Sequence, residues 1–96
     1  MYAVIFRATI DKIDDEYTHT PEALRKLAFE SYGCLDFVAV SDSDVEIAIS
    51  YWENEEAIFK WKHDADHMLA QKLGQERWYK NYTVEVVEVK RKYSFK

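Results

Sequence analysis

The chain has 96 residues, 48% of them hydrophobic and 16% aromatic, which suits one packed domain over residues 1–96 and is too apolar for a disordered segment. Its formal charge of −5, from 18 acidic and 13 basic residues, opposes binding to a nucleic-acid backbone, because that affinity needs concentrated lysine and arginine. No apolar run approaches the roughly 18 residues of a membrane span, and MYAVIFRATIDK lacks the basic lead and long apolar stretch of a secretory signal, so no membrane contact and a cytoplasmic location are expected.

Residues 2–10 read as a strand. Tyr2, Val4, Phe6, Ala8 and Ile10 point one way and Ala3, Ile5, Arg7 and Thr9 the other, with Arg7 the one strongly polar member. A strand that is apolar on both sides needs cover on both sides. Residues 11–19 are polar and read as a loop. Thr20, Pro21 and Glu22 supply an N-cap, a proline at the first helical position and an acid in the first turn, which starts a helix that Gly33 ends. Cys34 stands alone, with no cysteine partner and no neighbouring base, and reads as a reduced, partly buried thiol.

Two strands, 35–40 and 45–52, follow as a hairpin across Ser41–Asp44. On the second, Val45, Ile47, Ile49 and Tyr51 alternate with Glu46, Ala48, Ser50 and Trp52. Asn54 then caps a long helix with Glu55 and Glu56 in its first turn and Gly74 at its end. At about 100° per residue, its apolar stripe is Ala57, Ile58, Trp61, Ala65, Met68 and Leu69, which leaves His63 and His67 on the polar side. Residues 75–81 read as a helical turn or irregular segment, 82–89 as a last strand, and 88–96 as a charged extension.

The order β-α-β-β-α-β is the ferredoxin-like α+β arrangement, an antiparallel sheet with its helices on one face. The uncovered face would carry a large apolar surface, so a homodimer formed by sheet-to-sheet packing is expected.

Within this order, Tyr51-Trp52-Glu53-Asn54-Glu55-Glu56-Ala57-Ile58, then Trp61 and His67, resemble the antibiotic biosynthesis monooxygenase (ABM) domain family. The family's pattern is an aromatic-ended strand followed by a helix that carries an aromatic residue and a later histidine. The resemblance implies a dimeric α+β barrel with a pocket between sheet and helices in each subunit. It also implies three functions: oxidation of a quinol or anthrone-like aromatic by molecular oxygen without metal or flavin, haem degradation, or binding of a small molecule without turnover. For haem degradation, Trp61 fits the family's tryptophan. Gln71 stands where an axial histidine is wanted, and Phe6 or Arg7 where an asparagine is wanted.

Cofactor-free oxygenation asks for a dry aromatic slot, a proton acceptor and polar groups that orient the substrate. His67 is the expected acceptor, and no cofactor or metal is expected. Trp61, Trp52, Trp78 and Tyr79 are expected to wall the slot, with Gln71 at its polar border. Trp61 also reads as plain core, and Trp78 with Tyr79 as a seal at the helix end. Arg7 either stabilises a phenolate or pairs in the dimer interface. Trp52 is expected to face the pocket and Tyr51 the dimer core. His63 and His67 at i and i+4 have metal-binding spacing, but no third ligand stands at a recognisable distance.

Overall fold

A computed structural model describes the whole chain, Met1–Lys96. Strand β1 (Tyr2–Ile10) leads into helix α1 (Asp15–Ser31) and then the hairpin of β2 (Asp36–Asp42) and β3 (Val45–Trp52). Helices α2 (Glu55–Lys62) and α3 (Ala65–Leu73) follow, then a π turn (Gly74–Trp78) and strand β4 (Tyr79–Glu88). The strands form one antiparallel sheet in the order β2-β3-β1-β4, the ferredoxin-like α+β topology that the element order predicts. No helix is long and apolar enough to cross a membrane.

Register assigns every strand residue to a face. Phe6 lies opposite Ala48 on β3 and Val84 on β4, whereas Arg7 lies opposite Ile47 and Thr83. With the period of two, Val4, Phe6, Ala48, Ser50 and Trp52 look toward the helices, and Ile5, Arg7, Ile47, Ile49 and Tyr51 look away. The core is built on the helix side from Val4, Ala28, Cys34, Trp52, Ile58 and Trp61. Trp52 is fully buried, and its indole N–H donates to Ser50 Oγ at 2.8 Å. Cys34 is buried with its thiol directed at the carbonyls of Asp36 and Tyr51, and burial raises its pKa, which suits an inert core thiol.

Element boundaries depart from expectation in three places: the start of one helix, the continuity of another and the start of the last strand. Helix α1 starts at Asp15 rather than Thr20, because Asp14 supplies the cap: its Oδ1 accepts from the Tyr17 amide at 2.9 Å, with Asp15 and Glu16 in the first turn. Pro21 therefore sits inside the helix, where it forgoes the bond to the Tyr17 carbonyl. Gly33 has a φ of 73°, the left-handed conformation expected where the chain leaves a helix.

The expected long second helix is two helices. Asp64 breaks it by capping α3 through a bond from the Asp66 amide at 2.9 Å, and the Tyr32 hydroxyl holds Asp64 Oδ2 at 2.6 Å from α1. The break resets the helical phase, and the stripe extrapolated from α2 fails beyond it. Ala65 is exposed, as are Met68 at 53% and Leu69 at 58%, while Ala70 is buried. Strand β4 begins at Tyr79 rather than Tyr82, because the π turn delivers Tyr79 directly opposite Ile10. After Glu88 the chain forms no helix or strand, although the Val89 amide still bonds the Met1 carbonyl at 2.9 Å.

Candidate active site

Between the helix side of the sheet and the helices lies a cavity of about 300 Å³. Its floor is Val4, Phe6, Ala48 and Val84; its walls come from α1, α2 and α3. Two ends differ in chemistry.

At the first end, Trp61 is held from every side. Its indole N–H donates to the Leu24 carbonyl at 3.3 Å, and its ring lies 5.0 Å from that of Trp52, with the Phe37 edge at 6.2 Å. His67 packs edge-on against it, ring centroids 4.3 Å apart and planes at 81°. The expectation that His67 belongs to the polar helix side is thus overturned. After the break at Asp64, residues 67, 70, 71 and 74 share the face that lines the cavity. Nδ1 of His67 is buried without a hydrogen-bond partner. Desolvation lowers the His67 pKa below that of a free imidazole; a hydrogen bond with its own backbone and the charge of Asp64 oppose the shift, and Lys62 adds to it. The side chain at this end is therefore a neutral imidazole with an available nitrogen at neutral pH.

At the second end, Trp78 and Tyr79 close the cavity. Trp78 is buried, and its indole N–H donates to Asp14 Oδ1 at 2.9 Å, which ties the π turn to the start of α1. Arg77 strengthens that tie through Glu16 at 3.0 Å. The Tyr79 hydroxyl donates to Glu46 Oε2 at 2.8 Å, and the Tyr17 hydroxyl donates to Glu46 Oε1. Burial comes first and Glu46 second among the causes that push the Tyr17 phenol well above its usual range. Tyr79 is raised in the same way, by burial and then by the charge of Glu46.

The residues expected at the site are therefore placed as follows. His67, Trp61, Gln71, Trp78 and Tyr79 line the cavity together. Trp52 does not reach it; as expected it lies on the helix side, but it sits behind Trp61 as the backing of that wall. Arg7 is the correction: odd positions of β1 face away from the helices, so its exposed side chain lies on the open sheet face and cannot meet a phenolate in the cavity. His63 and His67 do not pair, because the helix breaks between them. His63 instead stacks on Phe59 with centroids 4.1 Å apart, its Nδ1 2.9 Å from the Phe59 carbonyl oxygen. No three His, Cys, Asp or Glu side chains are grouped to share a metal ion.

Glu46 and Tyr17 are cavity-end residues that sequence reasoning did not single out. A signal existed for Glu46, since it has the same strand parity as Trp52 and is the one acid on that side of β3. Tyr17 was hidden in the segment read as a loop.

A four-stranded antiparallel sheet with an aromatic cavity under its helices defines the ABM-type ferredoxin-like fold. No protein-family model matches the sequence. The chain is similar to YqjZ, an uncharacterized protein of Bacillus subtilis, with 36% identity over 95 residues that cover 98% of this chain and 83% of YqjZ. It belongs to one family with YqjZ, and the fold of that family is the ABM-type fold.

Among solved structures, it superposes on Rv0793 of Mycobacterium tuberculosis with a TM-score of 0.82 at 12% identity, over 97% of this chain and 98% of that one. It superposes on SnoaB, a cofactor-independent oxygenase from Streptomyces nogalater, with a TM-score of 0.78 at 10% identity, over 95% and 94% of the two chains. A structure described as an antibiotic biosynthesis monooxygenase gives a TM-score of 0.68 at 16% identity, over 93% and 98%.

Proposed function

We propose that the protein is a cofactor-independent monooxygenase of a small electron-rich aromatic, quinol or anthrone-like, with His67 as proton acceptor. The observation that carries this reading is His67 itself: a neutral imidazole with a buried, unpartnered nitrogen, on the wall of an aromatic cavity. A base with a lowered pKa in a dry site is fit to take a phenolic proton at neutral pH. The resulting electron-rich anion reduces oxygen directly. For an anthrone-like carbon, CH2 plus O2 gives C=O plus water, so atoms balance without an external reductant.

Trp61 and Trp78 provide flat apolar walls that hold an aromatic ring and exclude water. Gln71 offers its amide to the substrate from one turn beyond His67. The solved SnoaB, described as a cofactor-independent oxygenase, lends the same fold to this chemistry. Under this reading the open sheet face is the dimer interface. Val38 and Val40 stand 51% and 61% exposed there beside Ile47 and Ile49, an apolar surface suited to the same face of a second copy.

Haem degradation fits less well. The strand position offers Phe6, whose ring packs against Tyr79 and Tyr82 at 5.4 Å, or Arg7, which faces away. His67 lines the cavity, but one turn before the expected ligand position.

The test is incubation with a panel of quinols and anthrones under 18O2. One labelled oxygen in a carbonyl product, formed by the native protein and not by His67→Ala, supports the proposal. Ligand-induced thermal stabilisation without any labelled product would instead favour a binding module.

A further inference from the structure

Glu46 is a carboxylate in a cavity that is otherwise aromatic and aliphatic at its end. Along β3 it lies about 20 Å from Trp52, which backs the His67 end of the cavity. A carboxylate has roughly four acceptor sites. Tyr17 and Tyr79 occupy one site on each oxygen, which fixes the group in place and leaves the remaining sites without a donor.

No lysine or arginine pairs with Glu46: the ion pairs of the protein are Lys60 with Glu56 and Arg77 with Asp14 and Glu16. Ser41 lies opposite Glu46 on β2 without a hydrogen bond to it. The Tyr82 hydroxyl accepts from Gln75 Nε2 at 2.8 Å, and the Trp78 indole donates to Asp14. This end of the cavity therefore asks a ligand for a hydrogen-bond donor and repels an anion. The other end, at His67, accepts a proton.

We propose that Glu46 is the specificity-determining residue of the cavity, and that it selects aromatic ligands bearing an un-ionised hydroxyl at the end opposite the one facing His67. Tyr17 and Tyr79 are positioning residues that aim its carboxylate. The ligand class is a planar aromatic with two hydroxyl groups at opposite ends, one ionised by His67 and one kept neutral by Glu46. This rests on the function proposed above for the assignment of the ionised end, but the donor preference is a property of binding and is measurable without turnover. A hydroxyl is favoured over an arylamine, which is neutral at neutral pH, because the phenolic O–H is the stronger hydrogen-bond donor to a carboxylate.

Calorimetric titration of the full chain with naphthalene probes at neutral pH tests it: 2,6-dihydroxynaphthalene, 2-naphthol, 6-methoxy-2-naphthol and 6-amino-2-naphthol. A hydrogen bond to a charged acceptor makes the diol bind the native protein about tenfold more tightly than 2-naphthol or the methyl ether. In Glu46→Gln that preference falls below about threefold, since the variant removes the charge and leaves the aromatic walls. The methyl ether deletes the donor without touching the protein, so the comparison stands even where the variant folds poorly.

Equal affinities for diol and methyl ether in the native protein would overturn the proposal. So would a preference that survives in Glu46→Gln, tighter binding of the amine than of the diol, or no binding of any probe at ~1 mM, a threshold near −4 kcal/mol. Oxygen uptake separates this claim from the oxygenase reading. A diol preference without uptake refutes the enzyme and leaves Glu46 as proposed, and uptake without the preference does the reverse.

Discussion

Ser50→Ala provides a stringent test of how the first wall of the cavity is supported. Ser50 is 3% exposed and Trp52 fully buried, and the 2.8 Å bond between them is the indole's own hydrogen bond. Deleting the hydroxyl leaves a buried N–H with no acceptor, which costs about 1–3 kcal/mol. In a chain of this length each kcal/mol lowers Tm by about 4–8 °C.

A double-mutant cycle isolates the bond. Trp52→Phe removes the donor and opens space in the core, so Ser50→Ala made on that background strips a hydroxyl whose partner is already gone. The expected coupling is about 1–2 kcal/mol, within the range of contacting pairs. Urea denaturation at fixed protein concentration, with midpoints compared at constant slope, is the assay; fixed concentration matters because association would add to apparent stability. A coupling indistinguishable from zero, or a Ser50→Ala protein as stable as its parent, would refute the account of Trp52 as a hydrogen-bonded core residue backing Trp61.

Other consequences concern the site more directly. The rate kcat/KM should fall on the acid side only below the ordinary imidazole range near 6.5, because burial lowers the His67 pKa; a limb above that value in a pH–rate profile would contradict the assignment. Stability follows the same sign. As pH drops below the unfolded-state value the unfolded chain takes up the proton first, so His67 contributes a loss of stability that levels off once the folded imidazole also protonates, and His67→Leu should flatten that slope in denaturation curves.

Gly74→Ala would bring its Cβ to 2.9 Å from the Tyr79 ring, within the π turn; a destabilisation of about 1–3 kcal/mol is expected by thermal melting, together with a loss of diol preference as Tyr79 shifts from Glu46. Tyr32→Phe releases Asp64 from α1, so the amides of Asp66 and His67 should exchange faster with deuterium while strands β1 and β3 keep their protection. Arg7→Ala should leave probe binding in the cavity unchanged, because its exposed side chain lies on the opposite face of the sheet.

The sheet was legible in the sequence because strand residues state their face by parity alone. The alternation at Phe6 and Arg7, or at Tyr51 and Trp52, needs no knowledge of the neighbours. Helix phase is different, since it propagates only through unbroken hydrogen bonding. One aspartate at position 64, with a tyrosine 32 residues away to hold it, was enough to send Met68 and Leu69 to solvent and bring His67 inward. No local signal distinguishes that Asp64 from the other acids around it, so the sequence places His67 on the polar side, whereas in the structure it lines the cavity. The start of α1 was missed for a similar reason: the cap at Asp14 is reinforced by Trp78 and Arg77 from the far end of the chain. Glu46 is readable from parity, as the one acid in β3 and on the side of Trp52.

The claim that most needs a direct answer is that His67 drives oxygen consumption without a cofactor. An oxygen-electrode measurement with 2,6-dihydroxyanthrone and chelator-treated protein addresses it. The account predicts uptake of one O2 for each quinone formed and uptake by His67→Ala no faster than the protein-free blank. Equal uptake by native protein and His67→Ala would contradict it.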